Sequence, residues 1–290
     1  MSIDILQEKI RKMKNPSMVD FAVSAEQIPP HLVSEEGSVP AAYGRFCREL
    51  MGALKGVVPA VRFSFSAFAL LGCEGLKMLS DLLKDAKDFG FYVVLDAPET
   101  NTPWAADRAA ALLSDVSPYS CDGLIISPYI GTDSLKPFLP YCKDGKTVFA
   151  IVRSPNRTAS ELQDLLSGSR LAHMAAADMV SRHGTPILGK CGYSHVAALA
   201  SAGNSGSLKE LRTKYNRVFL LVDGLDYPSG NAKNCSIAFD KFGHGAIVCA
   251  GPSVTGAWKI AETDGTDYLD QAVAAAERMK KNILRYINIL

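Results

Sequence analysis

The chain has 290 residues, 48% of them hydrophobic and 21% charged, enough to bury a sizeable core in one large domain. Lysine plus arginine (31) nearly balances aspartate plus glutamate (30), so no global field draws in nucleic acid or an anionic membrane, and a small ligand or a protein partner is expected instead. The seven cysteines (Cys47, Cys73, Cys121, Cys142, Cys191, Cys235 and Cys249) are odd in number and lack a C-x-x-C pair, which argues against a disulfide framework or a zinc site and fits a reducing cytoplasm.

At the N-terminus, residues 1–14 mix charges with Ile3, Leu6, Ile10 and Met13 at helical spacing. This predicts an N-terminal helix rather than a signal peptide. No later stretch is apolar for long enough to span a membrane. Eight short apolar runs then predict strands at 18–23, 60–65, 91–95, 123–127, 147–152, 197–202, 218–222 and 246–250. Most are followed by a turn-rich segment and a helix. The clearest helices are 75–88, with Leu76, Leu79, Leu82 and Leu83 on one face, and the alanine-rich 269–289.

Eight repeated βα units predict an α/β chain folded as a single (β/α)8 TIM barrel, one domain over residues 1–290 with an N-terminal helix. A doubly wound open sheet would carry a Gly-rich fingerprint after its first strand, and Asp20-Phe21-Ala22-Val23-Ser24 has none. Barrel enzymes place their chemistry just past the C-terminal ends of the strands, which directs attention to 22–25, 62–65, 96–101, 127–129, 153–156, 203–205, 223–231 and 249–253.

Several frames around these segments carry a family resemblance. They are Met1-Ser2-Ile3-Asp4 through Lys14-Asn15-Pro16, Val58-Pro59-Ala60-Val61, Gly72-Cys73-Glu74-Gly75, the run Tyr129-Ile130-Gly131-Thr132-Asp133-Ser134-Leu135-Lys136-Pro137-Phe138-Leu139, Val152-Arg153-Ser154-Pro155-Asn156 through Glu161-Leu162-Gln163-Asp164, Gly192-Tyr193-Ser194, and Gly245-Ala246-Ile247-Val248. In this order and spacing the chain resembles the longer bacterial form of orotidine 5′-monophosphate decarboxylase, nearly end to end. The resemblance implies a cytoplasmic homodimer of the pyrimidine pathway that uses neither cofactor nor metal.

The functional positions depart from that family. Its G-L-D-P, whose aspartate binds ribose, matches Asp20-Phe21-Ala22-Val23, so the aspartate is Ala22 here. Its strand-two lysine falls on Arg62. Its D-x-K-x-x-D falls on Asp96-Ala97-Pro98-Glu99-Thr100-Asn101, which keeps Asp96, replaces the proton-donating lysine with Pro98, and replaces the aspartate that reaches the neighbouring subunit with Asn101. The pyrimidine-reading serine corresponds to Pro155. The phosphate loop reads Asp223-Gly224-Leu225-Asp226-Tyr227-Pro228-Ser229-Gly230, and the phosphate arginine falls on Pro252.

Cofactor-free decarboxylation leaves a carbanion, which needs a fixed positive charge and a proton donor beside it. Proline supplies neither, and an arginine stays protonated through the working range. Pro228 and Pro252 remove backbone donors from the phosphate loops, and Asp223 and Asp226 add negative charge there. Weak or absent orotidylate binding is therefore expected, in a decarboxylase-like chain without the parent carboxy-lyase activity.

Arg62 and Asp96 are expected to face each other from adjacent strand ends, as a remnant catalytic pair or as an ion pair neutralising two buried charges. Asp223, Asp226 and Glu99 read either as ligands for a hard cation or as solvated loop acids. His195 reads as a surface or packing residue rather than a base, Cys249 as a small buried hydrophobe rather than a nucleophile, and Trp104 and Tyr129 as packing over the barrel mouth. Two other functions stay open: an enzyme acting on a different small molecule through an acidic mouth of Asp96, Glu99, Asp223 and Asp226, and a binding or regulatory partner of an active decarboxylase subunit.

Overall fold

Period-two alternation decides which side chains of a strand meet inside a closed sheet and which meet the helices outside. The structure is a computed structural model that describes residues 2–96 and 100–290. Its eight barrel strands are β1 (Ser17–Asp20), β2 (Ala60–Ser64), β3 (Tyr92–Asp96), β4 (Gly123–Ile126), β5 (Thr147–Ile151), β6 (Val196–Ser201), β7 (Leu220–Asp223) and β8 (Ala246–Ala250). They pair in parallel in chain order, and β8 closes on β1. This is the (β/α)8 barrel expected from the sequence.

One alternate set of side chains points inward. Met18, Ala60, Tyr92, Val94, Ile125, Phe149, Ala197, Leu199, Leu221, Ile247 and Cys249 fill the barrel, with Phe219 added from just before β7. The other set, including Val19, Val61, Val93, Leu95, Leu124, Val148, Val222 and Val248, lies in the layer beneath the helices. That outer ring includes α2 (Val39–Leu54), α3 (Gly72–Asp88), α4 (Pro103–Ala110), α5 (Ala172–Gly184), α6 (Ser205–Lys214) and α7 (Tyr268–Leu284), numbered after the N-terminal helix α1 (Ser2–Met13). Side-chain oxygens start three of them: Ser38 accepts the Ala41 N–H at 3.3 Å, Thr102 the Ala105 N–H at 3.1 Å, and Asn204 the Ser207 N–H at 2.9 Å.

Helix α1 plugs the N-terminal end of the barrel. Its Ile3, Leu6 and Ile10 are fully buried in the inner cluster, each stabilising the fold by roughly 1.5–3 kcal/mol. The Ser2 hydroxyl meets the Tyr92 hydroxyl at 2.6 Å and donates to the Asp122 carbonyl at 2.9 Å. Asp4 accepts the Cys191 N–H at 2.8 Å, and Gln7 accepts the Gly245 N–H at 2.9 Å. His195, fully buried beside this plug, holds the Lys146 carbonyl through Nδ1 at 2.9 Å and is a packing residue far from the strand C-termini.

Some boundaries differ from the sequence expectation. β1 stops at Asp20 instead of Val23 because the Asp20 carboxylate takes the Ala22 N–H at 3.1 Å, which diverts the backbone from the sheet. α7 ends at Leu284, and the residues after it turn back so that Ile289 joins the inner cluster. A two-residue antiparallel ribbon, Leu166–Ser167 with Arg170–Leu171, lies between β5 and β6, where no strand is predicted. All seven cysteines are free, and among the described residues no helix is long and apolar enough to cross a membrane.

Candidate active site

The inward-facing rows of β1, β2, β3 and β7 are apolar through the barrel and end in charge. Two residues beyond Met18, Ala60, Val94 and Leu221 stand Asp20, Arg62, Asp96 and Asp223. At this C-terminal end an open cavity of about 410 Å³ is lined by Asp20, Ala22, Arg62, residues 223–228, and residues 249–252. That volume is within the range that holds small ligands.

Arg62 is the only cation among the described residues lining this cavity. Its guanidinium donates through Nη2 to Asp20 and through Nη1 to Asp223 at 2.8 Å. The side chains are 13%, 11% and 18% exposed for Arg62, Asp20 and Asp223, so solvent screens these pairs little. Burial disfavours the charged guanidinium, but the Asp20 and Asp223 carboxylates more than offset it and hold Arg62 firmly protonated. The second oxygens of both acids are also engaged: Asp20 takes the Ala22 N–H, and Asp223 takes the Gly224 N–H at 2.8 Å.

The expected Arg62–Asp96 ion pair is not formed, since β1 pairs with β2 so that Asp20 lies beside Arg62 and captures it. Asp96 sits two residues further up the barrel relative to Arg62, whose own neighbour on β3 is Val94. Its burial, reinforced by repulsion from Asp20 and Asp223 and only partly offset by Arg62, pushes the carboxyl up to about 6. Cys249 is fully buried at the cavity floor, where burial raises its thiol pKa well above the ordinary range, so it is no ready nucleophile.

Asp226 makes the most unusual contact. Its carboxylate reaches from the loop after β7 to the loop after β8, where one oxygen accepts the Gly251 N–H at 2.8 Å and the Ser253 N–H at 3.3 Å. These donors flank Pro252, which has none. An anion-accepting pair of backbone groups is thus already occupied by a side chain of the chain itself.

The structure gathers Ala22, Arg62, Asp223, Asp226 and Pro252 around the cavity and leaves Asp96, Asn101, Pro155, Ser229 and Gly230 outside its lining. Pro155 packs against Gly224, where a Cβ would come within 2.4 Å of the proline Cβ, and Ser229 packs against Gly203. Pro98 and Glu99 lie outside the described residues, and among the described residues no group of three or more His, Cys, Asp or Glu side chains is placed to hold a metal ion. The mouth is not filled by Phe63 or Phe65: Phe63 stacks on Phe21 at 5.3 Å outside the barrel, and Phe65 meets Tyr119. Trp104 is 78% exposed, while Tyr129 donates its hydroxyl to the Val152 carbonyl at 2.6 Å. Asp20, which no family motif marks, joins the cavity wall as a partner of Arg62. Its signal was the strand-end position, but only the pairing register reveals its partner.

No family model matches the chain. Orotidine 5′-phosphate decarboxylase of Rhodopirellula baltica is 32% identical to it over 273 residues, covering 89% of this chain and 90% of that protein. The enzyme of the same name from Clostridium novyi is 24% identical over 285 residues, covering 98% of each. Among solved structures, the OMP decarboxylase of Leishmania donovani superposes with a TM-score of 0.77 at 22% identity, covering 98% of each chain, and that of Plasmodium berghei with 0.78 at 13%, covering 98% of this chain and 97% of that one. The structural likenesses establish the shared barrel, and the full-length sequence similarity carries the assignment: this chain belongs to the orotidine 5′-phosphate decarboxylase family.

Proposed function

We propose that this chain is a small-molecule-binding barrel related to the pyrimidine pathway that has lost decarboxylation of orotidylate. The observation that carries this reading is the self-neutralised cavity, in which Arg62 is engaged by Asp20 and Asp223, and the backbone donors of Gly251 and Ser253 are engaged by Asp226.

Orotidylate brings a phosphate dianion and a carboxylate. At an effective dielectric of about 20, two like charges roughly 5 Å apart repel by about 3 kcal/mol. Asp223 and Asp226 therefore oppose the substrate at the end of the cavity where its phosphate would need donors. The chemical step is opposed as well. Expulsion of carbon dioxide leaves an electron pair on a ring carbon, which needs an adjacent ammonium both to balance the charge and to deliver a proton. A guanidinium held by two carboxylates does not deliver one, and Pro98 has no proton to give. The cavity itself stays open, which supports retained binding of a different small molecule.

Complementation tests the reading. Expressed in a bacterium lacking its own orotidylate decarboxylase, the chain is expected not to restore growth without uracil, and the purified protein is expected to release no carbon dioxide from orotidylate above the uncatalysed background. Growth rescue that depends on the intact chain would overturn the proposal.

A further inference from the structure

We infer that Asp226 is a releasable latch: its carboxylate pins the loop after β7 to the loop after β8 in the ligand-free protein, so that this wall of the cavity is formed before any ligand arrives. The inference concerns the same cavity but holds whether or not decarboxylation is lost.

The β7 loop is a compact unit on a narrow neck. The Tyr227 N–H donates to the Gly224 carbonyl at 3.2 Å, and the Gly230 N–H to the Tyr227 carbonyl at 2.8 Å. A Cβ on Gly230 would lie 2.2 Å from the Gly224 carbonyl oxygen, so the two ends of the loop touch. Asn231 then starts the next helix by accepting the Asn234 N–H at 2.8 Å. A unit of this kind swings about its neck unless its flanks are held.

Three contacts hold it. Pro155 packs against Gly224 and Ser229 against Gly203, which ties the loop by shape to those after β5 and β6. On the remaining side Asp226 accepts N–H groups 25 and 27 residues away, those of Gly251 at 2.8 Å and Ser253 at 3.3 Å. Asp226 is exposed whereas Gly224 and Gly251 are buried, so water competes for the carboxylate and this contact is the one that opens first. Leu225 and Asp226 also line both the central cavity and a second one of about 460 Å³ against α7, which makes the latched loop the partition between them. A wall already ordered spares an incoming ligand the entropy of ordering it.

A simpler role, a carboxylate capping the short helix Pro252–Thr255, would be confined to the β8 loop. The two roles part on what happens to the β7 loop when the carboxylate is removed.

Thermolysin cleavage of the full chain between Gly224 and Leu225, followed by mass spectrometry alongside hydrogen exchange of residues 251–255, tests the inference. The ligand-free wild type is expected to resist cleavage at that bond. Asp226→Ala is expected to be cut about tenfold faster there and to exchange faster at 251–255 by a similar factor, as the loss of one charge-assisted hydrogen-bonding group at an exposed position implies. Asp226→Asn, which keeps an acceptor oxygen, is expected to fall between the two, and it carries the test if the alanine variant does not fold. Faster exchange at 251–255 with unchanged cleavage would reduce Asp226 to a cap and overturn the inference, as would a wild-type loop cut as readily as the variant's, or new cleavage spread over the whole barrel. Complementation speaks only to the lost activity, so the two failures are distinguishable.

Discussion

Replacing Arg62 by methionine keeps the length of the side chain and removes its charge. Asp20 and Asp223 then remain 11% and 18% exposed with no cation between them. Removing one partner of a buried ion pair costs about 3–5 kcal/mol, because the remaining charge is left desolvated and unbalanced. The backbone N–H groups of Ala22 and Gly224 still bind one oxygen of each acid, which keeps the expected loss near the lower end. For a domain of this size such a loss lowers Tm on the order of 5–10 °C. The measurement is guanidinium unfolding of both proteins at neutral pH. The triple variant Asp20→Asn, Arg62→Met, Asp223→Asn should recover most of the loss, since no uncompensated charge remains. An Arg62→Met protein within about 1 kcal/mol of the parent would refute the claim that these three groups form one mutually dependent unit.

Two further perturbations probe neighbouring features. The Asp96 carboxyl is raised from its ordinary 3.8 to about 6, so the folded state binds that proton more tightly than the unfolded chain, and the stability this provides below about pH 4 is lost as pH rises through about 6. Asp96→Asn should therefore leave stability near pH 4 unchanged and raise it at pH 7 by at most about 3 kcal/mol, and equal stabilisation at both pH values in urea melts would contradict the assignment. Gly224 has φ +83° and meets Pro155 where its Cβ would be, so Gly224→Ala should destabilise by about 2–3 kcal/mol. Adding Pro155→Gly, which removes the proline Cβ, should relieve the overlap but not the backbone strain, and a full rescue would show that the strain is absent.

The barrel was legible because each strand is a short apolar run bounded by turn residues, and a parallel sheet covered on both faces needs that pattern. Strand ends were less legible. Whether β1 stops at Asp20 or at Val23 depends on one aspartate capturing a backbone N–H, a competition that apolar periodicity does not encode. Ala22, Arg62, Asp223, Asp226 and Pro252 could be placed near one cavity because family motifs map onto strand ends. What these residues do to one another was out of reach. Arg62 was matched with Asp96 from the adjacent strand, whereas the register aligns Asp20 with it and brings Asp223 in from across the barrel. The Asp226 contact links two loops whose spacing carries no sequence signal.

The plug formed by α1 has a consequence for assembly. Ile3, Leu6 and Ile10 share one buried cluster with residues of β1 and of β8, and with Ile289. During synthesis this segment leaves the ribosome long before its docking surface exists, because the last wall of that surface is translated more than 200 residues later. Its apolar stripe must stay unpartnered until the sheet closes, which makes seating of the plug a late event and places any chaperone requirement at this helix rather than at the cavity end of the barrel.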